Sequence, residues 1–353
     1  VNSEPTWKKA IREEWTRREK ERSNRPANQS LFPLIAQGFE QDEIVNLIET
    51  ILTGQLTMAT QVREFEKRFA AHVGSPFAVM VNSGSSANLL ALAVATNPAR
   101  KERLKAGDEV LVPAVCWSTS VWPVVQMGLK PVFVDADPRT LNMDLVDARR
   151  KITSKTRGML AVHILGNSAP MKELLALAKS ENLMLLEDTC ESLGSRADGK
   201  FLGTFGAMGM YSFYYSHHMT TGEGGMVTCQ TQEDADLLRC LRAHGWSREL
   251  SDRTAHEARS PDVDPRFLFV NLGYNLRPMD TQAAFGLTQL AKLSTMNQNR
   301  VKNHHELLKR LQAHPKWKEQ FRFPTSRVSE VSQLSGSGES PDCERKLRKA
   351  TCP

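Results

Sequence analysis

Between Lys200 and Lys292 the chain contains no lysine at all. In the middle of that gap lies Ser-Phe-Tyr-Tyr-Ser-His-His-Met-Thr-Thr-Gly-Glu-Gly-Gly (212–225), a stretch that offers imidazole rings and no amine. Imidazole moves protons near neutral pH because its unperturbed pKa is about 6.5. The six cysteines (Cys116, Cys190, Cys229, Cys240, Cys343 and Cys352) form no CxxC pair and no short-spaced trio. That spacing argues against an iron–sulfur or zinc site. It argues equally against a disulfide framework, and free thiols of a reducing compartment, the cytoplasm, are expected instead. No apolar run reaches the roughly 18 residues of a membrane span. The amino terminus has no charged–apolar–small secretion pattern and is rich in Trp, Glu, Lys and Arg.

What is present suits a globular protein. The 353 residues, 40% of them hydrophobic, are enough for one large domain and a smaller one. The net charge of +6 is spread along the chain with both signs interleaved, and no nucleic-acid motif accompanies it. A modest positive field of this kind suits a diphosphate-bearing small molecule.

Residues 1–30 read as a charged arm, helical or loosely ordered. From 41 to 73 the apolar spacing is helical, broken at Thr53-Gly54. Short apolar runs then alternate with helical stretches: Phe77–Val81, Glu109–Pro113, Pro131–Val134, Gly158–Ile164, Leu183–Leu186, Ala207–Phe213 and Met226–Cys229. Helices are predicted over 85–95, 118–127, 144–151, 170–180 and 232–243. Such alternation, with runs apolar on both faces, predicts an α/β fold with a mostly parallel sheet. Ligands of such sheets sit at the carboxyl ends of the strands. The charged segment 249–265, with two prolines, reads as a surface loop, and a long helix is predicted from 279 to 313. The domain boundaries expected are an arm at 1–30, a large α/β domain at 31–278 and a smaller domain at 279–324. The Ser-, Gly-, Glu- and Lys-rich residues 325–353 are expected to be disordered or foreign to the fold.

Five segments carry candidate chemistry. Asn82-Ser83-Gly84-Ser85-Ser86-Ala87-Asn88 follows a strand and opens a helix, so its free N–H groups and the Ser85 and Ser86 hydroxyls face an incoming anion. An ordinary serine N-cap gives the same pattern. Trp117 lies just past a strand end and offers a flat face for an aromatic ring, or simply core packing. The strand Leu183-Met-Leu-Leu-Glu187-Asp188 delivers adjacent carboxylates, with Cys190 and Glu191 beyond. Asp188 suits a protonated pyridine nitrogen, and equally a helix cap. Ser212 and the turn after it can donate to phosphate, and the His217-His218 pair lacks a third ligand for a metal. Finally, His244, Arg248, Asn275 and Arg277 place basic and amide groups on loops, where guanidinium groups suit diphosphate or sugar hydroxyls.

Taken together and in this order, Gly-Ser-Ser-Ala-Asn (84–88), Glu187-Asp188, Gly-Glu-Gly-Gly (222–225) and Gly-Tyr-Asn (273–275) resemble the DegT-type family of nucleotide-sugar aminotransferases and dehydratases. The resemblance runs from about residue 32 to 323. It implies the fold-type I aminotransferase architecture, a large domain plus a small carboxyl-terminal one, and pyridoxal phosphate as cofactor. Family members that transaminate carry the Schiff-base lysine where His217 stands. Ser216-His217 with Arg-Ala-His-Gly-Trp (242–246) looks most like the branch that removes the 3-hydroxyl of a GDP-linked 4-keto-6-deoxymannose in dideoxysugar and lipopolysaccharide O-antigen synthesis. A related CDP-sugar branch also has histidine there but uses clustered cysteines, absent here.

Carried over, the resemblance assigns Gly84, Ser85, Ser86 and Ser212 to the cofactor phosphate, Trp117 to the pyridine face and Asp188 to its nitrogen. Glu191 stands where many members have glutamine. Asn275 is implied to reach the neighbouring subunit's cofactor, which makes a homodimer. His244, Arg248 and Arg277 are candidates for the nucleotide-sugar substrate. His217 is the implied base, acting on pyridoxamine phosphate formed with glutamate as amino donor. The rival readings are an aminotransferase using another lysine, and a cofactor- or sugar-binding relative without turnover. Family chains usually continue past this length, so the small domain is expected to be partial and stability or activity reduced.

Overall fold

The computed structural model describes residues 4–23 and 38–317. Three helices come first, α1 (Thr6–Ser23), α2 (Gln41–Leu52) and α3 (Thr60–Val73). Then follow β1 (Phe77–Val81), α4 (Gly84–Ala95), β2 (Glu109–Pro113), α5 (Ser118–Gln126), β3 (Lys130–Val134), α6 (Leu145–Lys151) and β4 (Thr156–Val162). Next are α7 (Met171–Ser180), β5 (Met184–Asp188) and a two-stranded ribbon of β6 (Arg196–Ala197) with β7 (Lys200–Phe201). The chain continues through β8 (Met208–Ser212), β9 (Gly225–Cys229), α8 (Gln232–Arg242), α9 (Arg253–Arg259) and α10 (Asp280–Gln312).

Seven strands form one sheet in the order β1-β9-β8-β5-β4-β2-β3. β9 runs antiparallel to both of its neighbours, and the other pairings are parallel. Except in the edge strand β3, where Phe133 is exposed, the apolar runs are buried on both faces, as a covered parallel sheet requires. On one face Val110, Val112, Leu160, Leu186 and Met210 pack against Leu90 and Val94 of α4 and Leu238 and Leu241 of α8. On the other, Leu111, Met159 and Leu185 meet α6 and α7, while Met80, Tyr211, Phe213 and Met226 meet Phe65 and Phe69 of α3 and Leu290 and Leu293 of α10.

The strand period of two decides where the carboxylates point. Asp188 shares the face of Leu186, toward α4 and α5. Glu187 shares the face of Leu185 and is a structural anchor. It accepts backbone N–H groups from Gly203, Phe205 and Gly206 at 2.7–2.8 Å, and the ring of His163 approaches it at 3.4 Å.

Two expectations need correction or completion. The segment 249–265 is exposed as predicted, yet it is not simply loop. Arg253–Arg259 forms α9, supported by an Arg253–Glu257 pair of 2.6 Å one turn apart. The ribbon of β6 and β7 also went unpredicted, because two-residue strands are too short to show a period. In the charged arm, Thr6–Ser23 is helical. The tail expected at 325–353, and the part of the small domain beyond residue 317, lie outside the described residues.

Candidate active site

The carboxyl ends of β1, β2, β5 and β8 converge on one edge of the sheet, and the candidate residues gather there. Ser83 caps α4, its hydroxyl accepting the Ser86 N–H at 3.1 Å. The Ser86 hydroxyl donates to Asn82 Oδ1 at 2.6 Å and so belongs to the cap, whereas Ser85 is exposed, 3.1 Å from the Thr119 hydroxyl. Gly225 pairs with both Val81 and Ser212 across the sheet. A Cβ on Gly225 would lie 2.3 Å from the Ser83 carbonyl oxygen. A Cβ on Gly84 would lie 2.5 Å from Cβ of Ser212. These two glycines bring the Ser212 hydroxyl against the first turn of α4, and together they make an anion cradle at a helix amino terminus.

Asp188 is buried and held firmly. Its Oδ2 accepts from Ser120 Oγ at 2.7 Å and Asn88 Nδ2 at 2.9 Å, and its Oδ1 accepts the Cys190 N–H at 3.1 Å. Sequence reasoning passed over Asn88 and Ser120. The available signal was the polar Asn88 in the otherwise apolar run Ala87–Ala95. Trp117, 70% exposed, stands at the start of α5, three residues before Ser120, so its flat face is free for a planar ligand. Glu191 Oε2 accepts the Leu165 N–H at 2.9 Å, which ties it to the turn after β4.

His217 lies half-buried on the loop between β8 and β9. Burial lowers its pKa below the ordinary 6.5, the charge of Arg300 acts in the same direction, and the carboxylate of Asp188 opposes both. The imidazole is therefore held toward its neutral, proton-accepting form while lying within the field of Asp188. Its neighbour His218 is pushed down to about 3, chiefly by burial, with Arg300 and His217 adding to it.

The third group assembles around a residue that sequence reasoning mentioned but gave no role. The Trp246 ring has the Arg248 guanidinium 4.0 Å from its centre, Arg277 at 6.0 Å and His244 edge-on at 5.3 Å. Phe269 stacks on it at 5.4 Å. Arg277 also donates to the exposed Asn275 Oδ1 at 3.0 Å. The Asn82 N–H donates to the Leu276 carbonyl at 3.1 Å, joining this cluster to the rim of the phosphate cradle. His244 has φ +63°, a left-handed conformation uncommon outside glycine and asparagine.

Pyridoxal phosphate fits these residues. The cradle between Gly84 and Ser212 matches a phosphate, the exposed Trp117 face matches a pyridine ring, and the buried Asp188 matches a ring nitrogen that must keep its proton. Among the described residues no cluster of His, Cys, Asp or Glu could hold a metal ion.

Known proteins resemble the chain in sequence and in fold. The chain is 41% identical over 287 residues to GDP-4-keto-6-deoxy-D-mannose 3-dehydratase of Yersinia pseudotuberculosis, covering 80% of this chain and 72% of that protein. It is 36% identical to the lipopolysaccharide biosynthesis protein RfbH of Salmonella typhimurium, covering 81% and 68%. The solved E. coli GDP-4-keto-6-deoxy-D-mannose-3-dehydratase with bound hydrated PLP superposes with a TM-score of 0.78 at 34% identity, over 90% of this chain and 83% of that one. A variant of GDP-4-keto-6-deoxymannose-3-dehydratase with bound GDP-perosamine gives 0.79 at 35%, over 90% and 84%. The sequence profile of one family matches residues 38–335. With the cradle, the buried carboxylate and the aminotransferase architecture in place, this chain belongs to the DegT/DnrJ/EryC1/StrS aminotransferase family.

Proposed function

We propose that the chain is a pyridoxal phosphate/pyridoxamine phosphate-dependent 3-dehydratase of a nucleotide-linked 4-keto-6-deoxyhexose, with GDP-4-keto-6-deoxy-D-mannose as substrate, serving dideoxysugar synthesis. One observation carries the reading. The half-buried imidazole of His217 lies within the field of Asp188 in a stretch with no lysine between 200 and 292, at the position that the resemblance gives to the Schiff-base lysine of transaminating members.

When bound, pyridoxamine phosphate supplies an amine for the sugar's 4-keto carbon and a ring that takes up electrons. In this reading the α4 amino terminus with Ser85 and Ser212 holds the phosphate, Trp117 covers the ring face and Asp188 keeps the pyridine nitrogen protonated. His217, largely neutral at working pH, removes the proton from C4′ and returns it to the departing 3-hydroxyl, a role worth about 10²–10⁴-fold. Glutamate would supply the amine again and leave as 2-oxoglutarate. Arg248, Arg277 and His244, gathered at Trp246, are assigned to the diphosphate and sugar. The exposed Asn275 is assigned to the cofactor of a second subunit, so the working form is a homodimer. The compartment proposed is the cytoplasm. In support, the four described cysteines are free thiols, and no described helix is long and apolar enough to cross a membrane.

The test is incubation with pyridoxal phosphate, glutamate and a panel of nucleotide 4-keto-6-deoxysugars. The expected outcome is ammonia release together with a GDP-sugar lacking its C3 oxygen. A 4-amino sugar as the product would make the chain an aminotransferase, and binding without turnover would make it an inactive relative.

A further inference from the structure

An imidazole that acts as a base is usually aimed by a third group bonded to its second nitrogen. Among the described residues the His217 ring has no hydrogen-bond partner. Its one ring contact is the edge of Tyr214, with centroids 5.9 Å apart. Its aim must therefore come from the backbone that carries it.

That backbone is spread along one face of α10. Gln282 Nε2 donates to the Glu223 carbonyl at 2.7 Å, and Gln289 Oε1 accepts the Thr220 N–H at 3.1 Å. Arg300 donates from Nη2 to the His217 carbonyl at 3.0 Å and from Nη1 to the His218 carbonyl at 2.9 Å. Gln282, Gln289 and Arg300 are separated by about two and three helical turns, so they form one stripe. The stripe is braced from behind, because Gln289 Nε2 donates to Glu43 of α2 at 2.9 Å and Lys292 reaches the same carboxylate. Arg300 meets no carboxylate among the described residues, so its fork is committed to the two carbonyls.

We propose that Arg300 is a positioning residue for His217. By gripping consecutive carbonyls it fixes the peptide that carries the imidazole, and by its charge it favours the neutral ring. Its side chain also lines a cavity of about 280 Å³ with His217, His218 and Asn303, which leaves room for the loop to sag if the grip is lost. The charged and titratable groups facing His217 are Asp188 from β5, Arg300 from α10, and Tyr214 and His218 of its own loop, and of these Asp188 alone favours the imidazolium. Losing Arg300 therefore raises the pKa of the ring.

The proposal rests on His217 being the base, and the experiment separates the two. His217→Asn, Arg300→Lys and Arg300→Gln are compared in the cofactor-loaded protein by kcat, KM and pH profile. Hydrogen exchange of residues 213–221 is followed in parallel by mass spectrometry. Arg300→Lys keeps the charge and loses the fork, so kcat should fall about 10- to 100-fold with little change in KM, faster exchange of the loop and an unmoved acid limb. Arg300→Gln should show the same loss with the acid limb shifted to higher pH. If Arg300→Gln does not fold, Arg300→Lys alone decides. Wild-type kcat and exchange in the Arg300 variants, alongside an inactive His217→Asn, would overturn the positioning role and leave the dehydratase reading standing. An active His217→Asn would overturn that reading itself.

Discussion

At the scale of single residues, the site depends on what two small side chains leave out. Gly84 has an ordinary backbone conformation, so its identity is set by space, because Ser212 occupies the place a Cβ would take. Gly84→Ala should push Ser212 away from the α4 amino terminus at a cost of about 1–3 kcal/mol. Separately from that folding cost, losing the Ser212 hydrogen bond to a charged phosphate, worth about 1.5 kcal/mol, should lower cofactor affinity by about ten-fold, and an absorbance titration with pyridoxal phosphate measures it. Unchanged affinity would mean that the phosphate binds elsewhere. The positions of Gly84, Asp188 and Ser212 were legible because each ends a strand or opens a helix, whereas His217, on a loop, stood out as an imidazole in a stretch without lysine. Ser86 was legible as part of the motif, but its hydroxyl turned out to serve the cap, a choice made by Asn82 Oδ1 four residues earlier.

At the scale of elements, the strands were readable nearly to the residue. Phe77–Val81 and Glu109–Pro113 match their apolar runs because both faces of the sheet are covered and no polar residue interrupts them. What the sequence hid was partnership at long range. Arg242 at the end of α8 entered the sequence pattern only through Arg-Ala-His-Gly-Trp (242–246), yet it is the largest fully buried side chain among the described residues. It donates to Glu66 of α3 at 2.6 Å, to the Met80 carbonyl at 2.6 Å and to Glu249 at 2.9 Å. Glu66 also accepts the Met80 N–H at 2.8 Å, so one ion pair ties α3, β1 and α8 together. Glu66→Leu strands the guanidinium and should cost about 3–5 kcal/mol of stability, read as a lower urea midpoint at unchanged slope. A loss below about 1 kcal/mol would show that Glu249 alone satisfies Arg242. The stripe of Gln282, Gln289 and Arg300 was hidden for the same reason. Its helical spacing is visible in the sequence, but its partners lie some 60 to 80 positions earlier.

At the scale of the whole molecule, acid sensitivity follows from the neutral histidine behind the site. The His218 pKa is depressed from 6.5 to about 3, first by burial and then by Arg300 and His217. Between those values the unfolded chain binds a proton that the folded chain refuses. The stability this gives is full above about pH 6.5 and is lost on acidification, by up to about 1.4 kcal/mol per pH unit. His218→Gln should flatten the acid side of a stability-versus-pH curve from urea unfolding, and an unaltered slope would show that His218 is protonated in the folded state. The same burial and the same Arg300 act on His217, which links the resting state of the proposed base to the packing of α10 against its loop. The central claim is that this imidazole does the proton transfer that a tethering lysine would otherwise do. Single turnover tests it most directly, with wild type and His217→Asn each loaded with pyridoxamine phosphate and mixed with GDP-4-keto-6-deoxymannose. Wild type should yield the sugar without its C3 oxygen, and His217→Asn, with cofactor still bound, should be slower by at least about 100-fold. Equal rates in the two proteins would contradict it.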